Sequence, residues 1–297
     1  MSQLRRTMMY VPGNNPGKLQ SAGIYGADTV IFDLEDAVAI TEKDVARYLV
    51  ANAVREIEYP CEVAVRINHI STPFGYDDLE CILEAKPDMI RLPKAEYADD
   101  VREIADIIDR AEAKYGYPCG TIKIMASIES AQGLVNACEI AKAHPRMVAI
   151  AIGGEDFIAD LNTTRSIDGI ELAYARSQIV IAARVAKIHA IDSVSTVLND
   201  DEAFMKEVRM IKQLGFDGKS CVHPRQVEMV HKVYTPTEKE VAQAHRILDG
   251  IKEALARKSG VIAVDGKMGD GPIITRAERV IAYAKVVGMI RGNDDAE

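Results

Sequence analysis

Short apolar runs recur along the chain, and longer amphipathic stretches separate them. Eight runs of about four to six residues are rich in β-branched side chains, a composition typical of parallel strands that are buried on both faces. These runs cover residues 8–11, 29–32, 62–67, 89–92, 122–126, 147–152, 190–194 and 218–222.

The stretches between the runs carry the helical pattern. Residues 99–115 and 201–214 each place apolar side chains at helical spacing along one stripe. Strand and helix alternate eight times, which predicts an α/β fold of the (β/α)8 TIM-barrel type. A doubly wound open sheet is the alternative, but no G-x-G-x-x-G motif follows the first run, so the barrel is favoured.

The pattern changes after the eighth run. We predict a barrel domain over residues 1–230 and a C-terminal helical extension over residues 231–297. The sequence TPTE predicts a helix that begins with Thr235 as its cap and runs to about residue 258. An apolar stretch at 261–264 and a last helix over roughly 274–290 follow, and we expect this extension to pack on the barrel or on a neighbouring chain.

Composition and charge exclude several classes of protein. The chain has 297 residues, a net charge of −9 and no block of Lys and Arg, which argues against a nucleic-acid partner. No apolar stretch reaches the roughly 18 residues of a membrane span, and the N-terminus lacks the features of a signal peptide. The five cysteines never form C-x-x-C, which indicates reduced thiols in the cytoplasm and no zinc site.

Polar and charged residues collect where the apolar runs end, and barrel enzymes assemble their sites at that end of the strands. Glu129 and Asp156 follow neighbouring runs. Two carboxylates, completed by waters and substrate oxygens, are a typical ligand set for Mg²⁺. The alternative is that each acid caps the following helix or pairs with Arg66 or Lys94. The two acids together with a strand-end arginine favour the metal site.

Arg66 is the candidate for binding substrate. A guanidinium grips a carboxylate with two parallel hydrogen bonds and so fixes its orientation. The alternative is a salt bridge to Glu35 or Asp36. We expect Asp33, Glu35 and Asp36 to support the site from behind, by binding Arg66 or metal-bound waters.

Lys94 and His223 are further candidates. A lysine at a barrel mouth is a possible Schiff-base residue, but Lys94 lies beyond its apolar run. His223 is a possible acid or base, although a histidine before a proline at a barrel end is often structural. The sequence leaves both roles open.

Eight motifs occur in order between residues 9 and 272: MYVPGNNPGKL, FDLEDAV, VRIN, RLPK, IES, GGEDF, QLGFDGKS with HPRQ, and GKM followed by D and P. Together they resemble the citrate lyase β-subunit family, which cleaves citryl-CoA and lies within a superfamily of CoA-ester lyases and pyruvate aldolases. The resemblance implies a Mg²⁺-dependent barrel in which Glu129 and Asp156 bind the metal, Glu129 lines the substrate site, and Arg66 clamps a carboxylate.

The same resemblance assigns a role to the extension. It implies that this segment covers the barrel mouth and that Asp270, the acid of the last motif, acts as a base or proton donor across a subunit interface in a homotrimer. It also implies that the turn at Gly13, with Lys18, holds the CoA phosphates. The partners it implies are a citrate lyase α subunit and an acyl carrier protein.

The predicted function is therefore Mg²⁺-dependent carbon–carbon cleavage of citryl-CoA, or of a citryl thioester on an acyl carrier protein, to oxaloacetate and an acetyl thioester. One alternative is a malyl-CoA or citramalyl-CoA lyase, which would use the same chelate and clamp and differ in pocket volume. A second is a subunit that mainly docks other proteins. The strand-end acids and Arg66 favour an active lyase.

Overall fold

The structure, a computed structural model, describes residues 3–166, 168–195, 199–256, 262–264, 267–269 and 271–290. It divides into two compact units. One unit spans Arg5–His231, and the other is formed largely by the chain from Lys232 onward. Within the described residues, no helix combines the length and the apolar character that a bilayer crossing requires.

Eight parallel strands follow one another around a closed barrel, and β1 pairs with β8 to complete it. The predicted (β/α)8 TIM barrel is therefore confirmed, and the open-sheet alternative is excluded. The strands are β1 Thr7–Pro12, β2 Thr29–Asp33, β3 Glu62–Arg66, β4 Met89–Leu92, β5 Lys123–Ile128, β6 Met147–Ile152, β7 His189–Asp192 and β8 Gly218–Cys221.

Helices fill the connections between the strands. The longest of them before the C-terminal segment, α4, buries Val101, Ile104 and Ile108 along the stripe that its sequence pattern predicts, and it ends at Gly116 in the left-handed conformation. The helices are α1 Pro16–Ser21, α2 Lys43–Glu56, α3 Gly75–Glu84, α4 Ala98–Tyr115, α5 Ala131–Val135, α6 Ala137–Ala141, α7 Gly154–Asp160, α8 Ala173–Ala186, α9 Asp201–Leu214 and α10 Pro224–Tyr234.

The inside of the barrel is apolar in its middle and closed by charge at the amino-terminal end of the strands. Its core consists of Met8, Ile31, Ala64, Met89, Met125, Ala149, Ala151 and Ile191. Below this layer, Arg5 donates two hydrogen bonds, of 2.8 and 2.6 Å, to the carboxylate of Glu62. Thr29 donates a third to the same carboxylate. The opposite end of the barrel, at the carboxyl ends of the strands, is where enzymes of this fold assemble their sites.

The second unit has its own small core. Helix α11 (Glu238–Ala256) is followed by the antiparallel strands β9 (Ile262–Val264) and β10 (Lys267–Gly269) and by α12 (Gly271–Val286). Ala244 of α11 packs with Ala277 and Ile281 of α12. The two helices and the short apolar stretch lie where the sequence pattern predicts them, within about four residues.

The cap of α11 differs from the prediction. Thr237, rather than Thr235, accepts the hydrogen bond from the Glu240 amide, and the Glu240 carboxylate accepts from the Thr237 amide at 2.7 Å. Both threonines have a glutamate three residues later, so both match the capping-box pattern. With Thr237 as the cap, Pro236 precedes the helix instead of occupying its first position.

Candidate active site

A ring of polar side chains lies directly above the apolar core of the barrel. Side chains alternate along a strand, so the residue two positions after each core residue points the same way, one layer nearer the carboxyl ends of the strands. In five consecutive strands, β1 to β5, these positions are polar or charged: Tyr10, Asp33, Arg66, Arg91 and Ser127. This layer forms the floor of the barrel mouth.

Arg66 is fixed in this layer by three acids, one at the end of β2 and two in the loop that follows it. Its Nε and Nη2 donate to the two oxygens of Asp33 at 2.7 and 2.6 Å. Its Nη1 lies 2.8 Å from Glu35 and 3.0 Å from Asp36. The predicted alternative of a salt bridge to Glu35 or Asp36 is therefore present, and Asp33, Glu35 and Asp36 do bind Arg66.

The charges of this cluster are strongly coupled. Burial alone would raise the pKa of Asp33, but the charge and hydrogen bonds of Arg66 hold it below its usual value. Burial alone would lower the pKa of Arg66, but Tyr10, then Asp33 and Glu35, raise it well above its usual value. Asp33 is an anion and Arg66 a cation across the working pH range, and each holds the other in place.

Glu129 follows β5 and is only 4% exposed, yet its Oε2 has no hydrogen-bond partner. Gly153, after β6, makes room for it, because a Cβ at that position would overlap Cγ of Glu129 and lie 2.7 Å from Oε1. Burial, followed by the charge of Glu35, raises the pKa of Glu129 to about 7, although the charges of Arg91 and Arg66 oppose the shift. A buried carboxyl with an unshared oxygen at a barrel mouth fits a cation ligand.

Asp156 lies on the exposed side of α7, three residues after Gly153. Its negative charge also raises the pKa of Glu129. The neighbouring acid Glu155 pairs with Arg165 instead. The structure thus brings Asp156 into electrostatic range of Glu129, as the position of both residues after neighbouring strands predicts.

Three other metal-ligating side chains of the described residues lie within 4.8 Å of one another: those of Asp109, Glu112 and Cys119. Arg146 donates hydrogen bonds to both acids of that group. Because Arg146 comes directly before β6, this group belongs to the amino-terminal end of the barrel. It is a structural ion pair and not part of the mouth.

Arg91, the first residue of the RLPK motif, is a further residue of this layer, and the sequence pattern assigned no role to it. It is 2% exposed, its Nε donates to Ser127 Oγ at 2.9 Å, and its buried Nη1 has no partner. Arg91 and Arg66 approach the same ring, that of Tyr10, at 5.1 and 5.0 Å from its centroid. The signal in the sequence was an arginine two residues after Met89, within an otherwise apolar strand.

Lys94 and His223 have structural partners. Lys94 donates to Glu35 at 2.7 Å. Burial alone would lower the pKa of Lys94, but this hydrogen bond and the nearby acids raise it, which opposes the neutral amine that a Schiff base requires. His223 is exposed, and its Nδ1 accepts from the amide of Arg225 in the first turn of α10.

The residues expected to hold CoA phosphates lie near the end of β1. The amide of Gly13 donates to the carbonyl of Asp33 at 2.9 Å, and a Cβ on Gly13 would come within 2.7 Å of that oxygen. Gly13 thus joins β1 closely to β2. Lys18 lies exposed on α1, whose amino-terminal cap is Asn15. Asp270 lies outside the described residues.

The chain is similar to known proteins over nearly all its length. Residues 6–224 match the family model described as HpcH/HpaI aldolase/citrate lyase. The chain is 52% identical over 289 residues, covering 97% of it and 96% of the relative, to a protein named citrate lyase subunit beta from Leuconostoc mesenteroides subsp. cremoris. It is 32% identical, over 97% of both chains, to a (3S)-malyl-CoA thioesterase from Cereibacter sphaeroides. Among solved structures, CitE from Mycobacterium tuberculosis in complex with magnesium, acetoacetate and coenzyme A matches with a TM-score of 0.78 at 33% identity, over 95% of this chain and 98% of that one.

Proposed function

The chain belongs to the HpcH/HpaI aldolase/citrate lyase family, whose members include lyases, and from this premise we propose that it cleaves a citryl thioester into oxaloacetate and an acetyl thioester with the help of Mg²⁺. The thioester is carried by CoA or by an acyl carrier protein. The relative named citrate lyase subunit beta supports the citryl substrate, and the solved complex with magnesium and coenzyme A supports the metal and the thioester.

One observation carries the proposal: the barrel mouth contains a buried acid with an unshared oxygen, Glu129, beside the buried cations Arg66 and Arg91. Glu129 and the exposed Asp156 are carboxylates, the donors that Mg²⁺ prefers. They therefore fit the metal and would hold it. Bound Mg²⁺ would supply Lewis-acid polarisation of a substrate oxygen.

The chain's own residues supply the remaining electrostatics. Arg66, locked by Asp33, places a fixed positive charge in a largely dry site, where it stabilises negative charge that develops on the substrate hydroxyl oxygen. Arg66 is thus the proposed clamp at the reacting end of the substrate. Asp33, Glu35 and Asp36 set its orientation, so they act through Arg66 and not on the substrate.

The proton balance of the cleavage requires one acid–base group. The substrate hydroxyl loses a proton as the bond between the hydroxyl carbon and the thioester methylene breaks. The electron pair of that bond goes to the thioester enolate, which takes up one proton to become the acetyl group. We assign this proton transfer to Asp270 of the extension.

The proposal also includes the surroundings of the site. Lys18 and the turn after Gly13 bind the phosphates of the CoA-like arm. The extension covers the barrel mouth of its own or a neighbouring subunit, and the chain forms a homotrimer. A citrate lyase α subunit and an acyl carrier protein are the partners, as the relative named citrate lyase subunit beta suggests.

The test is a cleavage assay with citryl-CoA, malyl-CoA and citramalyl-CoA, each with Mg²⁺ and then with EDTA, and with products identified by mass spectrometry. We expect citryl-CoA to give oxaloacetate and acetyl-CoA, and EDTA to abolish the reaction. Glu129→Gln should lower kcat by about 10²–10³-fold, because it removes a metal ligand. Glu139→Gln, on the exposed surface of α6, is the matched control and should leave kcat unchanged.

Other outcomes contradict the proposal in different ways. Preference for malyl-CoA or citramalyl-CoA would change the substrate and keep the chemistry, which the malyl-CoA relative makes the nearest alternative. Full activity in EDTA would show that the reaction does not require the metal. If all three free esters and the citryl acyl carrier protein stayed intact, the chain would be a docking subunit and not the lyase.

A further inference from the structure

We propose that Arg91 binds the second carboxylate of the substrate, on the carboxymethyl arm, and so selects a citryl thioester over malyl and citramalyl thioesters. This inference rests on the proposed function and deepens it. Citryl thioesters have two free carboxylates. Citramalyl thioesters carry a methyl group in place of the carboxymethyl arm, and malyl thioesters carry a hydrogen.

The position of Arg91 places its side chain in the barrel mouth. On β4 it follows Met89 by two residues, and Met89 belongs to the apolar core inside the barrel. In the sheet register, Arg91 pairs with Arg66 on one side and with Met125 on the other. Its guanidinium therefore lies in the polar layer, next to the proposed reacting end of the substrate.

Arg91 differs from the other buried arginines of the described residues. Six arginines are buried, and five of them form ion pairs with carboxylates: Arg5, Arg47, Arg66, Arg146 and Arg176. No carboxylate of the described residues lies within 4.0 Å of Arg91. Its contacts are Ser127 and the Tyr10 ring, and its Nη1 is buried without a partner.

A buried guanidinium without a counterion is costly, because arginine stays charged at all accessible pH values and has lost its hydration. The unshared oxygen of Glu129 would neutralise it, yet the structure holds the two side chains apart. The barrel mouth thus holds two buried groups with unused hydrogen-bonding atoms, the Glu129 carboxyl and the Arg91 guanidinium. A ligand with a metal-binding end and an anionic arm would give both of them a partner.

The remaining donors of Arg91, on Nη1 and Nη2, suit a carboxylate. Ser127 occupies Nε and fixes the plane of the guanidinium, while the Tyr10 ring supports one of its faces. A carboxylate is planar and accepts from guanidinium nitrogens in that plane. Arg66 already forms ion pairs with three acids of the chain itself, whereas Arg91 forms none with the described residues. Arg91 is therefore the arginine of the two with donors left for the arm carboxylate.

Oxaloacetate and pyruvate provide an equilibrium test, because they are the ketone products of citryl and citramalyl cleavage and differ by the arm carboxylate. Binding of each is measured by calorimetry with Mg²⁺ present, for the wild type, Arg91→Met, Arg91→Lys and the control Arg102→Met, whose arginine is exposed on α4. We expect Arg91→Met to raise the Kd for oxaloacetate at least about 30-fold. The Kd for pyruvate should change by less than about threefold.

The same variants are assayed for cleavage. Arg91→Met should lower kcat/KM for citryl-CoA by a similar factor and leave any residual citramalyl-CoA cleavage in place. Arg91→Lys keeps the positive charge but loses the paired N–H donors of the guanidinium. Its kcat/KM for citryl-CoA should therefore lie between those of the wild type and Arg91→Met. Ser127→Ala, which removes the acceptor of the hydrogen bond from Arg91 Nε, is a second variant for the case that Arg91→Met folds poorly. It should weaken the binding of oxaloacetate more than that of pyruvate.

The outcomes separate this inference from the proposed function. If the wild type cleaves citryl-CoA and Arg91→Met weakens oxaloacetate and pyruvate equally, Arg91 serves the shared carboxylate and the inference is overturned. Unchanged binding of both ligands overturns it as well. If the wild type binds oxaloacetate selectively through Arg91 and cleaves no citryl thioester, the proposed function fails while the carboxylate site stands.

Discussion

At the scale of single residues, Glu129 shows how the proposed metal site affects the stability of the folded protein. In the metal-free protein its pKa lies at about 7, because burial and the charge of Glu35 disfavour the ionised form. A raised carboxyl pKa means that the folded state binds a proton more tightly than the unfolded chain. The stability this contributes is fully present below the unfolded pKa, near 4.5, and is lost as the pH rises through about 7.

Glu129→Gln should therefore stabilise the metal-free protein at pH 8, by up to about 3 kcal/mol, because the amide avoids the cost of a buried charge. The gain should shrink between about pH 7 and pH 4.5, where folded Glu129 takes up its proton. Urea unfolding in EDTA at pH 8 and pH 5 measures it, with Glu139→Gln as the exposed control. A loss of stability at pH 8 would show that the buried carboxylate is well solvated or paired.

The sequence points to part of this proposed site. Glu129, Asp156 and Arg66 lie at or just after the ends of apolar runs, and barrel topology brings such positions to one end. The importance of Arg91 was missed, because many arginines end strands and most of them find an acid. Only the three-dimensional structure shows that Arg91 lacks one among the described residues.

At the scale of elements, α7 explains why β6 runs into a cluster of acids. The three acids of this helix do three different things. Glu155 pairs with Arg165, and Asp160 accepts a 2.7 Å hydrogen bond from the amide of Ala131, at the start of α5. Asp156 stays exposed. Because Ala131 follows Glu129 by two residues, Asp160 ties the helix that carries one proposed metal ligand to the segment that carries the other.

Asp160→Ala should weaken Mg²⁺ binding by roughly 3- to 10-fold, the equivalent of one hydrogen bond, and leave kcat at saturating Mg²⁺ nearly unchanged. Asp160→Asn keeps an oxygen acceptor and should retain most of the affinity. The measurement is activity against Mg²⁺ concentration, with Asp106→Ala on the exposed face of α4 as the control. If Asp160→Ala lowered kcat at saturating metal instead, Asp160 would act on the reaction itself.

The elements themselves were largely predictable. The eight strands begin and end within about two residues of the apolar runs, because a parallel strand buried on both faces is mostly apolar, apart from the polar residues near its carboxyl end. The start of α11 was misplaced because Thr235 and Thr237 each have a glutamate three residues later. Local pattern alone does not choose between two matching caps, and the structure selects Thr237.

At the scale of the whole molecule, the proposed chemistry draws on both units of the chain. In the proposal, Glu129, Asp156, Arg66 and Arg91 come from the barrel unit, and Asp270 comes from the C-terminal extension. Each unit has its own core. The metal- and substrate-binding residues and the proton-transfer residue of one site could therefore come from different polypeptides. In a cyclic trimer, an acid that acts across the interface would complete the site of a neighbouring subunit.

Mixing two inactive variants tests this arrangement. Glu129→Gln removes a metal ligand and Asp270→Asn removes the proposed proton-transfer group, so each alone should be nearly inactive. If Asp270 acts across the interface, trimers assembled from equal amounts of the two variants contain sites in which both residues are intact. Random assembly makes that fraction about one quarter, and the mixture should recover about one quarter of wild-type kcat. The two variants carry tags of different mass, their subunits are mixed by co-expression, and native mass spectrometry measures the ratio and the composition of the trimers.

No recovery, in trimers that native mass spectrometry shows to be mixed, would place Asp270 in the site of its own barrel. A fully active Asp270→Asn variant would remove Asp270 from the mechanism.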